Sequence, residues 1–449
     1  MRSLFTYLIA FFSFLLTFSC GEDRTYEYEE KTRHNHWMQE VMLDKYLWAD
    51  TLASFEPAWK NYFSTPSQFL STLVKKSGQK DTWSYVEIDT LNEDSHKRGN
   101  FNHIDSYGFD FTMMSDPTGH TTKQVLRVLT VYPNSPAERA GLKRNDYICS
   151  YDSYKITKKN MTKLQKGSGR LLEVCHLAEN KSDATLYWND TLMVSLGASG
   201  YVEDVAFPVV RVLEVEGKKI GYLMCTRLLE SPVEKGLEGS GVYREMLDAA
   251  MAQLKASGVE EMVLDLRLCN DGTIEMVQRL ASYVVEPQKL STMFAKTLWN
   301  HSNTSNNREY FYDPSVENLG LSRVCILTSA YTQGAAEWLI HALQHTMGAN
   351  NVVLIGKATA GQNVMTAQVA HEYYIRLFPV VAYVADGEGN YDYGSLKPTV
   401  EVDEFSFLNL GEYGSMVDVL LYTAVDYILS GSQNDSLWGL KIRQIDMIR

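Results

Sequence analysis

The sequence predicts a multi-domain α/β protein with a helical N-terminal region, a β-rich middle and a long α/β core. Three observations predict it. Apolar residues recur near a 3.6 period as far as Leu73, and the rhythm changes to short β runs between Tyr107 and Ser195. From Lys219 onward strand and helix candidates alternate. The 449 residues, 45% hydrophobic and 22% charged, suffice for about three domains and show neither repeats nor low-complexity linkers.

Residues 1–19 read as an export signal, in which Arg2 precedes an apolar run from Leu4 to Phe18 that is short for a membrane span. The run ends at Cys20, after a small Ser19 and before the polar Gly21-Glu22-Asp23, and this resembles a bacterial lipoprotein signal with Cys20 as the lipidated first residue. Thr17 and Phe18 depart from that pattern, so a plain secretory signal is the alternative. Either way the chain is expected in the cell envelope, lipid-anchored to the outer membrane on the first reading. No later stretch reaches the ~20 apolar residues of a span.

A polar leader (Glu22 to Asn35) precedes a helix carrying Trp37, Val41, Tyr46 and Leu52, and Pro66 opens a second helix through Leu73. Residues 20–100 are therefore read as an N-terminal helical domain, 101–198 as a β module and 199–449 as the α/β domain. In the last, strands are expected at Ile220 to Thr226, Glu261 to Leu266, Arg323 to Thr328, Val352 to Ile355 and Ala370 to Phe378. Helices are expected at Val242 to Ala256, Ile274 to Val284, Ala335 to Gln344 and Met416 to Leu429.

Charge and cysteine usage narrow the function. Forty-two basic against 55 acidic residues give a net −13, a sign that repels nucleic-acid phosphate, so no nucleic-acid partner is expected. Apart from Cys20, five cysteines remain, an odd number. Cys149, Cys175, Cys225 and Cys325 lie in strand-like runs and are expected buried and reduced, and Cys269 is expected to be a packed thiol. No Cys or His spacing fits a zinc site. His341 and His345 have no Glu base between them and are read as helix-surface residues, so neither metal nor cofactor is expected.

Within the β module, Ser135-Pro136-Ala137-Glu138-Arg139-Ala140-Gly141-Leu142, followed by Asp146 and Tyr147, resembles the PDZ signature. Ser135 suits an N-cap, Pro136 the first helical position and Gly141 the C-cap. A PDZ module adds an extended chain end to a sheet edge, and Tyr107-Gly108-Phe109-Asp110-Phe111 is the candidate carboxylate loop and edge strand.

A helical leader, a PDZ-like module and an α/β region in that order resemble the C-terminal processing (tail-specific) serine peptidases, in particular lipoprotein members of the Bacteroidetes type. Three further segments carry the resemblance: Ile220-Gly221-Tyr222-Leu223; Leu264-Asp265-Leu266-Arg267 with Gly272; and Val324 to Leu343. The resemblance implies a ClpP/crotonase-like core and peptide-bond hydrolysis by a Ser nucleophile whose proton passes to a buried neutral Lys. The Ser stretch of the family, Thr-x-Ser-Ala-Ser-Glu, is matched here by Thr332-Gln333-Gly334-Ala335-Ala336-Glu337. The Lys stretch, Gly-x-x-Thr-x-Gly-Lys, is matched by Gly356-Lys357-Ala358-Thr359-Ala360-Gly361-Gln362. Gly334 therefore stands at the nucleophile position and Gln362, an amide, at the base position; Thr366 stands where some members carry an orienting Gln.

The family's oxyanion hole uses a Gly-rich turn, here Asn270-Asp271-Gly272, together with the start of the helix at Ala335. Asp271 would set an anion beside a developing oxyanion. As fallback chemistry, Thr332 with Lys357 is considered, but Thr332 is better read as a helix N-cap, Ser329 as a turn residue and Lys357 as solvent-facing with an ordinary pKa. The expectation is a catalytically inactive pseudopeptidase that binds extended polypeptide or protein C-termini. The alternatives are an active serine-type endopeptidase with a non-standard nucleophile and base, and an envelope glycan- or surface-binding protein suggested by the 12% aromatic content.

Overall fold

The computed structural model describes residues 25–88, 105–203, 205–232, 239–368, 370–372 and 375–431. Residues 1–19, expected to be an export signal, and Cys20 lie outside them. Two compact units result, one of residues 1–88 with 367–379 and one of residues 89–366 with 380–449.

In the first unit, helix α1 (Thr25–Lys45) starts ten residues or more before the apolar periodicity begins, so the polar leader is corrected to helix. Its inward face is polar there: Asn35 is fully buried and donates from Nδ2 to Tyr62 O and Ser64 O, both at 2.8 Å. An apolar count overlooks such a face, because its burial is made good by hydrogen bonds. Helix α2 (Pro66–Ser77) carries a capping box in which Thr65 and Gln68 each satisfy the other's backbone N–H, and Gly78 ends it at φ +73°. β1 (Tyr85–Ile88) follows.

The second unit opens with a β module: β2 (Phe109–Ser115), β3 (Gln124–Val131), the short helix α3 (Pro136–Arg139), β4 (Tyr147–Tyr151), β5 (Tyr154–Lys155), β6 (Arg170–Glu179) and β7 (Leu186–Leu196). The antiparallel sheet order is β2-β3-β4-β6-β7, so β2 is an edge. Ser135 Oγ accepts the Glu138 N–H at 3.0 Å as N-cap of α3, and Gly141, just past the cap residue Ala140, takes φ +85°.

The core follows as β8 (Val210–Val215), β9 (Lys218–Met224), α4 (Val242–Ser257), β10 (Glu261–Asp265), α5 (Ile274–Val284), β11 (Met293–Trp299), β12 (Arg308–Phe311), β13 (Val324–Thr328), α6 (Ala335–Met347), β14 (Val352–Gly356) and β15 (Val364–Thr366). β18 (Val380–Asp386), β19 (Val400–Glu401) and α7 (Val419–Ser430) complete it, while β16 (Ala370–Glu372) and β17 (Ile375–Phe378), between β15 and β18 in the chain, belong to the first unit. The main sheet has the order β19-β14-β13-β10-β9-β8, parallel except for the β8–β9 hairpin. That hairpin turns through Glu216 and Gly217, both at positive φ, as a two-residue turn requires. The single strand expected over 370–378 is corrected: it is the hairpin β16–β17, and β17 pairs with β1 in the first unit.

Alternation along the parallel strands divides the interior. Leu223, Leu264, Ile326 and Leu354 face a core shared with α4, α5 and α6, whereas Tyr222, Val263, Cys325, Val353 and Ile355 face a second core with α7. Each such fully buried side chain stabilises the fold by about 1.5–3 kcal/mol. Both faces covered leave the carboxyl ends of β10, β13 and β14 as the rim on which loops gather.

Candidate active site

The turn after β13 and the loop after β14 bring Gly334 and Gln362 together. A Cβ built on Gly334 would lie 3.2 Å from Gln362 Oε1, so a side chain at 334 would point straight at residue 362. Gly334 itself adopts φ +56°, ψ −112°, a backbone conformation that glycine alone holds at little cost. Its N–H begins α6, where the helix dipole would stabilise negative charge.

Glu337 fastens this arrangement. Its carboxylate accepts from Gly334 N (3.1 Å), Gln362 N (2.7 Å), Gly361 N (2.6 Å) and Thr359 Oγ1 (2.5 Å), so one buried side chain joins the start of α6 to the loop after β14. Burial pushes the Glu337 carboxyl above its ordinary pKa, and the four donors oppose that rise. The Gln362 amide is engaged at both ends: Oε1 accepts from Gln333 Nε2 at 2.8 Å and Nε2 donates to Val364 O at 3.1 Å. An amide so placed orients neighbours but takes up no proton.

Across the site, Gly272 lies against the first residue of α6. A Cβ on Gly272 would come within 2.7 Å of the Ala335 Cβ and 2.6 Å of the Leu228 Cβ, so close approach, not a positive φ, requires glycine there. The Gly272 N–H donates to Asp271 Oδ1 at 2.8 Å. Neither Asn270 nor Asp271 adopts a positive φ. In the turn that the resemblance assigns to the oxyanion hole, the Gly272 N–H is thus turned onto a carboxylate of the same turn.

The fallback residues are placed differently from the sequence reading. Thr332 is fully buried, accepts from Ser329 N (2.9 Å) and donates to Leu266 O (2.9 Å); Gly334 occupies the N-cap position expected of Thr332. Ser329 Oγ accepts the Tyr331 N–H at 3.0 Å, a local turn bond. Lys357 bonds Glu401 at 3.1 Å and lies 3.5 Å from Asp403. Burial pulls its ammonium down, but those carboxylates outweigh it and raise its pKa, correcting the ordinary value expected. A more firmly held proton makes it a poorer base. Thr366, at the end of β15, pairs with Val380.

The Asp265-Leu266-Arg267 motif is structural. The Arg267 guanidinium is 2.8 Å from both Asp265 and Asp418 and 2.9 Å from Glu404, all buried, and the Tyr222 hydroxyl donates to Asp265 at 2.6 Å. His341 and His345 are partly covered and both turn toward Asp386 Oδ2, at 3.6 and 3.5 Å, not out to solvent as expected. Sequence spacing held a signal for this, since i and i+4 share a helix face. Among the described residues no cluster of His, Cys, Asp or Glu is arranged to hold a metal. Four of the five described cysteines are buried, and Cys149 is only partly so.

In the β module Tyr107, Phe109 and Asp110 are buried: the Tyr107 hydroxyl donates to Ser168 O and the Tyr132 hydroxyl to Asp110 at 2.5 Å. Phe111 is half-buried. The loop's Tyr107 N–H and Gly108 N–H donate to Gln165 O (3.1 Å) and Ser106 Oγ (2.9 Å), which leaves the backbone edge of β2 as the accessible element of that segment.

Comparison with known proteins agrees with this architecture. Residues 33–85 match the peptidase S41 N-terminal domain, 127–166 a PDZ domain and 219–402 peptidase family S41. A crystal structure of a candidate S41 protease from Bacteroides fragilis is 30% identical, with 88% of this chain and 97% of that chain covered at a TM-score of 0.76. The chain belongs to peptidase family S41. The photosystem II D1 C-terminal processing protease shares the S41 fold at 16% identity, 85% and 95% coverage and a TM-score of 0.50. A CPAF variant shares it at 9% identity, 90% and 98% coverage and a TM-score of 0.51. No curated protein matches. This S41 chain thus carries the family's N-terminal domain, PDZ domain and α/β core, with Gly334 and Gln362 where the resemblance expects Ser and Lys.

Proposed function

We propose that this chain is an exported, lipid-anchored S41 pseudopeptidase that holds extended polypeptide or protein C-termini at the β2 edge of its PDZ domain and in the cleft of its α/β domain without cutting them. The observation that carries the reading is the pairing of Gly334 with Gln362, which meet face to face with neither a nucleophilic oxygen nor a basic nitrogen between them. The Gly272–Asp271 bond supports it, because a carboxylate occupies the donor that would stabilise a tetrahedral intermediate. Removing a Ser nucleophile costs about 10⁶ in rate, far beyond the ~10²–10³ of one oxyanion donor. The Thr332–Lys357 alternative is opposed by the full burial of Thr332 and the ion pairing of Lys357.

The test is hydrolysis of casein and of a C-terminally tagged peptide by the mature chain. No turnover is expected, nor from Gly334→Ser with Gln362→Lys alone; activity is expected only when Asp271→Gly is added to free the Gly272 N–H. Turnover by the natural chain that Thr332→Ala or Lys357→Ala abolishes would refute the reading. Fractionation of the Cys20→Ser variant checks the anchor, which predicts release from the membrane.

A further inference from the structure

A pocket of about 420 Å³ opens at the carboxyl ends of β13, β14 and β19, within the range of ligand sites. It is lined by the loops that carry the degenerate positions: Ser329 to Tyr331 lie just before Gly334, and Lys357 with Ala358 just before Gln362. Its buried lining combines apolar Val402 and Leu420, 3% and 1% exposed, with Thr328, Ser329 and Glu404, whereas the charged side chains at its mouth are open to solvent, with Glu401 71%, Lys357 40% and Asp403 31% exposed. We propose that this pocket is a subsite for extended polypeptide that takes one large apolar side chain flanked in the peptide by Lys or Arg. The proposal rests on the polypeptide-binding reading above and names what that site prefers.

Charge decides the flanking residue. At the mouth two carboxylates, Glu401 and Asp403, face one ammonium, Lys357, and the balance is negative. The adjoining helix start is already supplied with negative charge, since Leu420 N and Leu421 N of α7 bond Asp418 Oδ1 at 3.0 and 3.4 Å. A cation at the mouth gains from the carboxylates, and an apolar side chain beyond it meets Val402, Leu420, Tyr331 and Phe405. The pocket is preorganised: Arg127 of the PDZ module donates to Phe405 O at 3.0 Å, and Arg144 and Arg267 hold Glu404 at 3.1 and 2.9 Å. A wall fixed before binding loses little entropy when a ligand seats.

Fluorescence anisotropy on the mature chain tests this with labelled ten-residue peptides bearing Leu-Lys, Leu-Glu or Ala-Lys at the centre. Their C-termini are amidated, so capture of a free carboxylate by the PDZ module does not contribute. The Leu-Lys peptide is expected to bind at least tenfold tighter than either other, with a preference over Leu-Glu that shrinks as salt rises. Ala358→Trp, at an exposed lining position, is expected to lower Leu-Lys affinity at least tenfold without moving the binding of a free-carboxylate peptide or the unfolding midpoint. Glu401→Lys with Asp403→Lys is expected to reverse the Lys-over-Glu preference and remains informative if the Trp variant does not fold. Equal binding of Leu-Lys and Leu-Glu, or binding that neither variant disturbs, overturns the subsite. Binding of free-carboxylate peptides alone overturns the subsite and leaves the PDZ reading standing, and binding of none overturns both.

Discussion

Glu337 shows how one buried side chain can act as a joint between two loops. Its four hydrogen bonds tie Gly334 to Thr359, Gly361 and Gln362. A Gln at 337 presents one acceptor oxygen and an NH₂ group to backbone donors, so Glu337→Gln is expected to destabilise the fold by about 3 kcal/mol in urea unfolding, since buried donors lose their partners. The pH dependence has a definite sign. Because the folded-state pKa is raised, the Glu337 contribution is fully present below the ordinary carboxylate value and is lost as pH rises through the raised one. Unfolding free energy measured from pH 4 to 7 should therefore carry a downward component in the natural chain that the Gln variant lacks; an identical slope would contradict the assignment.

At the scale of elements, the PDZ module depends on contact between the loop before β2 and the start of α3. A Cβ at Gly108 would lie 2.1 Å from the Ser135 Cβ, and Gly108 sits at φ +80°. Ser135 is the N-cap of α3, so any displacement also breaks the cap. Gly108→Ala is accordingly expected to destabilise the module by about 3 kcal/mol or more, read as a lower thermal midpoint, whereas Gly141→Ala, with open space around its Cβ and only φ strain to meet, should cost about 1 kcal/mol. Comparable losses at the two positions would show that the packing against Ser135 is unimportant. The PDZ helix was legible in the sequence because caps are local: Ser, Pro and Gly stand at fixed offsets whatever surrounds them. The β16–β17 hairpin was not, because β17 pairs with β1, nearly 300 residues away in the chain, and the segment 370–378 carries no Gly, Pro, Asn or Asp to mark where it turns.

At the scale of the second unit, three buried arginines join the PDZ module to the core. Arg127 donates to Phe405 O, Phe407 O and Leu408 O, and Arg144 to Gly411 O, the Tyr413 hydroxyl and Glu404, while Arg267 meets Glu404 from the core side. The Tyr413 ring lies 3.9 Å from the Arg144 guanidinium carbon and 5.2 Å from that of Arg267. Burial alone would raise the Glu404 pKa, but Arg267 and Arg144 hold it below the ordinary value, which favours its ionised form. Arg127→Ala with Arg144→Ala is expected to uncouple the module, costing about 3–5 kcal/mol of coupling and splitting the calorimetric transition of the unit in two. A single unsplit transition would show that other contacts carry the coupling.

The sequence by itself determined the family, the order of domains and which residues stand where the resemblance expects Ser and Lys, because motifs that fix a turn or a helix start are written in adjacent residues. Tertiary structure alone decided what those positions meet. Gly334 faces Gln362, Asp271 caps the Gly272 N–H, Thr332 is sealed in and Lys357 is ion-paired, since each of these depends on which distant strand end the fold sets beside it. Burial and charge pairing are sums over neighbours in space, and the linear chain does not list them.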